Sequence, residues 1–330
     1  MVEPVRPQRL PPRTHRRRTD VDAVLGIGRA AALTNSLCEG RRIVRDPPGE
    51  GAAMYLVTGA TGLIGRPLTD MLLASGAQVR AMTRRPDARL PRGADAVTPE
   101  DLDSALRGVD SLFVHPRAAK DGIAELLARA AAHHVGRVVV MSAINADDDV
   151  SLQPSWFNGD RNTDVERAVV DSGIPWVSIR PSSFAMNTLS MWSGQVANGD
   201  TVFGPFAEFA EPLIHERDVA DVIARAMVDD SLLGRKVPIT GPESLRIDQL
   251  VAIIGETLQR PLGFHEVPVE TATAGMIAHG LDQRFVDALM ARCAREIERP
   301  IAANTNAEGI LGRPALSFAT WVADHKDDWS

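Results

Sequence analysis

The stretch "MYLVTGATGLIG", residues 54–65, constrains the fold more than any other part of the chain. An apolar run that reads as a fully buried strand meets Gly59, Gly62 and Gly65 at GxxGxxG spacing, and a helical pattern follows at once. Glycines let the backbone turn tightly and approach a pyrophosphate, whose charge then faces the N-terminal end of the helix. Three spaced glycines alone would say little. Between a strand and a helix they have the context that mechanism requires. Ile64, Leu68, Met71 and Leu72 fall at i, i+4, i+7 and i+8 on one helical face, and Gly76 supplies a stop.

The alternation continues along the chain. "AQVRAMT" reads as a strand, "PEDLDSALRG" as a short helix ending at Gly108, and "SLFVHP" as a strand closed by Pro116. "DGIAELLARAAAHH" reads as a helix and "GRVVVMSA" as a strand ending near Ser142. A helix is expected from about Asp160 to Ser172, stopped by Gly173, and "PWVSIRP" as the next strand. Short β-rich runs separated by helices predict the α/β class: a doubly wound parallel sheet (Rossmann fold) with ligands beyond the C-terminal strand ends. After Ser182 the pattern weakens. "ERDVADVIARAMVD" and "RIDQLVAIIGETLQ" read as amphipathic helices, followed by a long helical tract from about 270 to 300. We expect a core over 54–185 and a smaller C-terminal substrate lobe over 186–330, interleaved with that core.

Composition narrows the function classes. The chain has 330 residues, 44% of them apolar and 24% charged, as in an ordinary soluble globular protein. Cys38 and Cys293 lie too far apart in sequence for a metal spacing or a disulfide framework, so a cytoplasmic protein without a metal is expected. No apolar run approaches the roughly 18–20 residues that span a membrane. Residues 1–53 hold 10 Lys+Arg against 6 Asp+Glu, and the remainder 26 against 37. So acidic a core is not expected to bind nucleic acid through its phosphates. The front segment "RPQRLPPRTHRRRTD" lacks the apolar region of a secretory signal and reads as a disordered basic extension. Because Met54 immediately precedes the first strand, residues 1–53 are also expected to reflect an over-extended start.

The end of the second strand speaks to the nucleotide. An NAD site usually places a carboxylate there for the ribose 2′-OH. "VRAMTRRPDA" instead offers Arg84 and Arg85 and no acid directly at the strand end. Guanidinium groups suit a 2′-phosphate, so NADP is expected over NAD.

With "VVVMSA", "VERAVVDSGIPWVSIRPSSFAMN", "ERDVADVIA" and "TGPESL" added to these motifs, the chain resembles the NmrA-like group of atypical short-chain dehydrogenases/reductases over residues 54–328. That group includes NAD(P)H-dependent quinone reductases, reductases of biosynthetic pathways, and members that bind the dinucleotide without turning it over. The resemblance implies that Gly59, Thr61, Gly62, Leu63, Ile64 and Gly65 form the pyrophosphate loop and that Arg84 meets the adenosine phosphate. It implies that His115 and Pro116 lie along the nicotinamide ribose, that Ser142 ends the fifth strand, and that Pro181, Ser182 and Phe184 lie near the nicotinamide ring. One departure is "DAVTPEDL", where Thr98–Pro99 stand in place of the group's usual Gly-Asp near the adenine.

A larger departure concerns catalysis. Many relatives carry Tyr-x-x-x-Lys in the segment that reads "SWFNGDRNTDVERAV" here. Counting back from Glu166 puts Asn162 at the lysine and Asn158 at the tyrosine. The one tyrosine of the chain is Tyr55, inside the first strand, so a tyrosine–lysine proton relay is excluded by composition. Hydride transfer to an isolated ketone builds an alkoxide that needs a placed proton donor. Transfer to a quinone gives a ring-stabilised anion with a weaker need. The expected function is therefore an NAD(P)H-dependent reductase of a quinone-like or conjugated small molecule. Ser142, Asn158 and Asn162 would supply the hydrogen bonds, the asparagines as an i, i+4 pair on one helical face. Trp156, Phe157, Phe184, Phe203, Phe206 and Phe209 suggest an apolar or aromatic substrate. The alternative is a non-catalytic NAD(P)-sensing regulator acting through a protein partner. His215 is expected to support the turn that opens the helix after it, with Asp218 in its first turn.

Overall fold

The computed structural model describes residues 52–329 apart from Pro86. The expectation for the basic extension therefore falls almost wholly outside the described residues. Six strands occupy the first part of the chain, separated by helices except between β2 and β3: β1 (Met54–Thr58), β2 (Gln78–Met82), β3 (Asp95–Val97), β4 (Ser111–Val114), β5 (Arg137–Met141) and β6 (Trp176–Pro181). Five follow: β7 (Thr201–Gly204), β8 (Ala210–Glu211), β9 (Arg235–Ile239), β10 (Leu245–Arg246) and β11 (Gly263–Glu266). Seven form one sheet in the order β3-β2-β1-β4-β5-β6-β9, parallel at every pairing. The chain winds outward from β1 to β3, then from β4 to β9 on the other side. The reversal leaves a crevice outside the carboxyl ends of β1 and β4, where such sheets hold ligands.

The central strands are apolar on both faces because helices cover both. Val57, Phe113, Val139 and Ile179 pack with Leu68 and Leu72 of the Gly65–Ala74 helix and Val219 and Ile223 of the Glu216–Ala226 helix. Leu56, Leu112, Val138 and Val140 point the other way, onto Leu127 of the Ile123–Ala132 helix and Val165 and Val169 of the Asn162–Val170 helix. Each such side chain contributes roughly 1.5–3 kcal/mol of burial. A third cluster, with Trp192, Val196, Phe209, Leu250, Val251, Phe318 and Trp321, lies among the later elements. There β7 pairs with β11 and β8 with β10.

Two expectations change. The helical tract from 270 to 300 is two helices, Val269–Ala278 and Gln283–Glu298. Gly280, at φ 93°, breaks the first, and the Asp282 side chain caps the second by accepting from the Arg284 N–H. The helix expected from about Asp160 begins at Asn162, because Arg161, at φ −127° and ψ 50°, is not helical and stands as its N-cap.

Candidate cofactor and active site

At the end of β1 the glycines are mechanically required. Gly59 has φ 65°, and the Gly62 N–H donates to its carbonyl at 2.9 Å. A Cβ on Gly65 would lie 2.2 Å from the Gly59 oxygen and 2.8 Å from the Ala60 Cα, so that position admits no side chain. Ile64 is buried and anchors the loop, Gly62 and Leu63 are exposed at its crest, and Thr61 is half-buried beside them. The Gly65–Ala74 helix starts with no side-chain cap and no acid in its first turn. In its first turn the Arg66 and Leu68 N–H groups already donate to the Gly62 and Ile64 carbonyls and Pro67 has none, so what this terminus offers a pyrophosphate is chiefly the positive end of its dipole.

Beside Thr61 a cavity of about 230 Å³ is lined by Arg66, Arg85, Asp87, Ala88 and Arg89. Three guanidinium groups stand there against one carboxylate. Arg66 sits in the first turn of its helix, where the dipole disfavours a cation unless an anion faces it, and it donates to the Arg89 carbonyl. Of the two arginines expected from the sequence, Arg85 lines this cavity, whereas Arg84 is exposed and does not. Arg66 and Arg89 escaped the sequence reading, although Arg66 directly follows the third glycine. A larger cavity, about 410 Å³, is lined by Glu100, Asp101, Asp103 and Glu125 among others. Its four carboxylates against one cation, Arg129, do not suit the phosphates of a dinucleotide.

Across the crevice, His115 follows β4. Its N–H donates to Thr58 Oγ1 at 2.8 Å, and Pro116 opens the four-residue helix Pro116–Ala119. A Cβ on Gly59 would come within 3.2 Å of the His115 Cβ, so the imidazole packs against the glycine loop. Burial pushes its pKa down, with Asp160 opposing. Its Nδ1 accepts from the Arg117 N–H at 3.3 Å, which leaves the proton on Nε2. A neutral imidazole of this kind donates a hydrogen bond but holds no spare proton at neutral pH.

Ser142 closes β5. Its N–H donates to the Ile179 carbonyl at 2.8 Å, and its hydroxyl is buried without a partner. An unmet buried hydroxyl costs about 1–3 kcal/mol, a reason to place a ligand atom there. Ser111 Oγ and Trp329 Nε1 share that condition, but Ser111 lies at the amino end of β4 and Trp329 in the third cluster. The carboxyl ends of the central strands thus bring together an uncapped helix terminus, a basic cavity and an orphaned hydroxyl.

Other expected site residues are placed differently. Ser182 Oγ donates to the Pro212 carbonyl at 2.6 Å, so its hydroxyl is already engaged and faces the later elements. Pro181 is buried at the end of β6, and Phe184 is half-buried, bridged to Ile214. Asn158 and Asn162 do not share a helix. Asn158 ends the Pro154–Phe157 helix and is exposed. Gly159 then turns the chain at φ 89°, and Asn162 begins the next helix, buried, with Nδ2 at 3.4 Å from Ser155 Oγ. The i, i+4 geometry is lost because Pro154 opens one helix and Gly159 ends it. Asn162 shares the buried face of its helix with Val165 and Val169.

A network the sequence did not announce holds this region. The buried Glu166 carboxylate accepts from Arg180 Nε at 2.8 Å and Nη2 at 2.6 Å, from Ser178 Oγ at 2.5 Å, and pairs with Lys236 at 2.9 Å. Arg180 also grips Asp147, in the loop after Ser142, at 2.5 and 2.9 Å. Burial alone would raise the Glu166 pKa, but these donors outweigh it and hold the pKa at about 2. The one available signal was a charged residue inside "PWVSIRP", a strand buried on both faces. Burial pushes the Cys293 thiol up to about 12, so it is no nucleophile. Tyr55 is buried in β1. Among the described residues no His/Cys/Asp/Glu group could hold a metal, and no helix is long and apolar enough to cross a membrane.

Known proteins match this arrangement. A family described as NAD(P)H-binding matches residues 59–230. The chain is 31% identical over 282 residues to a (4-alkanoyl-5-oxo-2,5-dihydrofuran-3-yl)methyl phosphate reductase of Streptomyces griseus, covering 83% of this chain and 98% of that protein. It is 26% identical to an NAD(P)H azoreductase of Xenophilus azovorans, over 82% of this chain and 98% of that one. Among solved structures, an NADPH-dependent quinone oxidoreductase from Escherichia coli, complexed with NADPH, has a TM-score of 0.70 at 20% identity, covering 82% of this chain and 99% of that one. The negative transcriptional regulator NmrA has a TM-score of 0.64 at 15% identity, covering 83% and 95%. The chain belongs to the NAD(P)H-binding, NmrA-like family of atypical short-chain dehydrogenases/reductases.

Proposed function

We propose that the protein is an NADPH-dependent reductase of a conjugated, electron-poor small molecule. The observation that carries this is the partnerless Ser142 hydroxyl, buried at a strand end beside the nucleotide crevice in a chain without a catalytic tyrosine. The bound dinucleotide supplies a hydride. Ser142 donates a hydrogen bond to the acceptor oxygen on which negative charge grows. Because the product anion is delocalised, its proton can come from water and no side chain has to titrate. His115, neutral and pressed on the glycine loop, orients the nicotinamide ribose. Arg85, with Arg66 and Arg89, favours NADPH over NADH by meeting the 2′-phosphate.

The relatives' names support the choice of acceptor. A 4-alkanoyl-5-oxo-2,5-dihydrofuran carries a carbon–carbon double bond with two conjugated carbonyl groups on one of its carbons, and azo compounds and quinones are likewise conjugated. NADPH oxidation across an acyl butenolide, a benzoquinone, an azo dye and cyclohexanone tests the proposal. We expect turnover of at least one conjugated acceptor, none of cyclohexanone, and a loss of about 10²-fold in kcat on Ser142→Ala. Equal turnover of cyclohexanone would overturn it, as would binding of NADPH with no acceptor reduced; the latter would favour the regulatory alternative.

A further inference from the structure

The turn between the two asparagines gathers charge that hydride transfer does not use. Residues 158–161 join the Pro154–Phe157 and Asn162–Val170 helices. Three cations reach them. Arg117 holds the Asp160 carboxylate through Nε at 2.8 Å and Nη2 at 3.1 Å. Lys120 Nζ lies 3.7 Å from where a Gly159 Cβ would be. Arg161 is half-buried over Trp156, its Cζ 4.2 Å from the ring centroid, with Nη1 donating to the Trp156 and Asp160 carbonyls at 2.8 Å each.

Among the described residues, only Asp160 offers this turn a paired carboxylate. Among the described residues neither Lys120 nor Arg161 has a carboxylate oxygen within 4.0 Å, and the neighbouring Asp121 and Asp164 are exposed and pair with neither. The turn thus carries two unmatched positive charges. Arg161 is also preorganised: two carbonyls and an indole face fix its plane, while its Nε and Nη2 make no hydrogen bond with the described residues. A fixed guanidinium fork suits an oxyanion. The turn borders the crevice on both sides. Arg117 and Lys120 follow β4, where Ala118 packs near the glycine loop, and Thr163 Oγ1 donates at 2.6 Å to the Ala146 carbonyl in the loop after Ser142.

We propose that this turn is an anion subsite that holds a phosphate monoester on the substrate, with Lys120 and Arg161 as its positioning residues. A monoester carries about −1.5 to −2 charge at pH 7, matching two unmatched cations, whereas a carboxylate would leave one unmet. The exposed Asn158 amide stands at the same turn as a further donor. The proposal rests on the reductase function above, since the phosphate belongs to the acceptor, but the subsite can be tested without turnover.

The full chain, saturated with NADP⁺ to occupy the cofactor's own phosphate sites, would be titrated with methyl phosphate and with acetate. We expect saturable methyl phosphate binding and at least about tenfold weaker acetate binding. Lys120→Met and Arg161→Gln should each weaken methyl phosphate about tenfold, and Arg161→Lys should restore part of the loss. In turnover, a phosphorylated butenolide should have a lower KM than its alcohol, and both variants should raise that KM more than they lower kcat. Absent methyl phosphate binding overturns the subsite, as do acetate binding of equal strength, variants without effect, or competition between methyl phosphate and NADP⁺. Binding that the variants weaken, with no acceptor reduced, supports the subsite and overturns the reductase function instead.

Discussion

A methyl group at Gly65 would sit 2.2 Å from the Gly59 carbonyl oxygen, and neither backbone can move without opening the loop. Gly65→Ala should therefore abolish NADPH binding, measured by nicotinamide fluorescence; a variant that binds normally would contradict the loop's role. Arg85→Ala should lower the NADPH-to-NADH preference in kcat/KM by about tenfold or more, because a charge-assisted contact to the 2′-phosphate is lost. An unchanged ratio would assign that contact elsewhere. At this scale the sequence was legible wherever a residue had a local mechanical reason. The glycines needed a positive φ or a close backbone approach, and Tyr55 lay inside a strand. Ser182 was not legible, because the carbonyl it bonds, Pro212, comes from a segment thirty positions on.

Elements were readable where apolar periodicity was strong and lost where tertiary contacts set the ends. β1, β4 and β5 are apolar runs, whereas β9, "RKVPI", carries two cations and a proline and joins the sheet only through β6. The turn at Gly159 split a helix pair that counting from Glu166 had treated as continuous. Glu166 itself serves to hold the helix, β6 and the loop after Ser142 together. Glu166→Gln should cost about 3 kcal/mol, since it leaves buried Arg180 with less compensation, and urea denaturation would measure it. The pKa of this carboxyl falls from 4.5 to about 2 on folding, so its contribution is complete above 4.5 and disappears as pH drops through 2. Wild-type stability should decline across that window, and the variant's should decline less. Identical slopes would show that the network does not act through this charge.

Over the whole chain, the last residues fold back onto the helix that follows Ile214. Glu216 accepts from Trp321 Nε1 at 2.9 Å and meets His325 Nε2 at 2.6 Å, while His215 Nε2 lies 3.3 Å from Asp324. The expectation for His215 agrees with this placement: its Nδ1 accepts from the Arg217 N–H as the helix cap. Burial would lower the His325 pKa, but Asp328 and Glu216 outweigh it and raise it. Its contribution is thus full below 6.5 and fades as pH rises through the raised value. Amide exchange in Phe318–Asp324, corrected for intrinsic rates, should report looser attachment above that pH, and Glu216→Gln should weaken the dependence, leaving the part that Asp328 sustains. A pH-independent wild type would contradict it. Hydride transfer from a site without tyrosine can be followed directly by single-turnover mixing. Protein saturated with NADPH would be mixed with a benzoquinone while the reduced nicotinamide absorbance is followed. Rapid protein-dependent loss is expected, slowed about 10²-fold by Ser142→Ala and abolished by Gly59→Asp. Bound NADPH that persists in the wild type, or decays equally fast in Ser142→Ala, would contradict it.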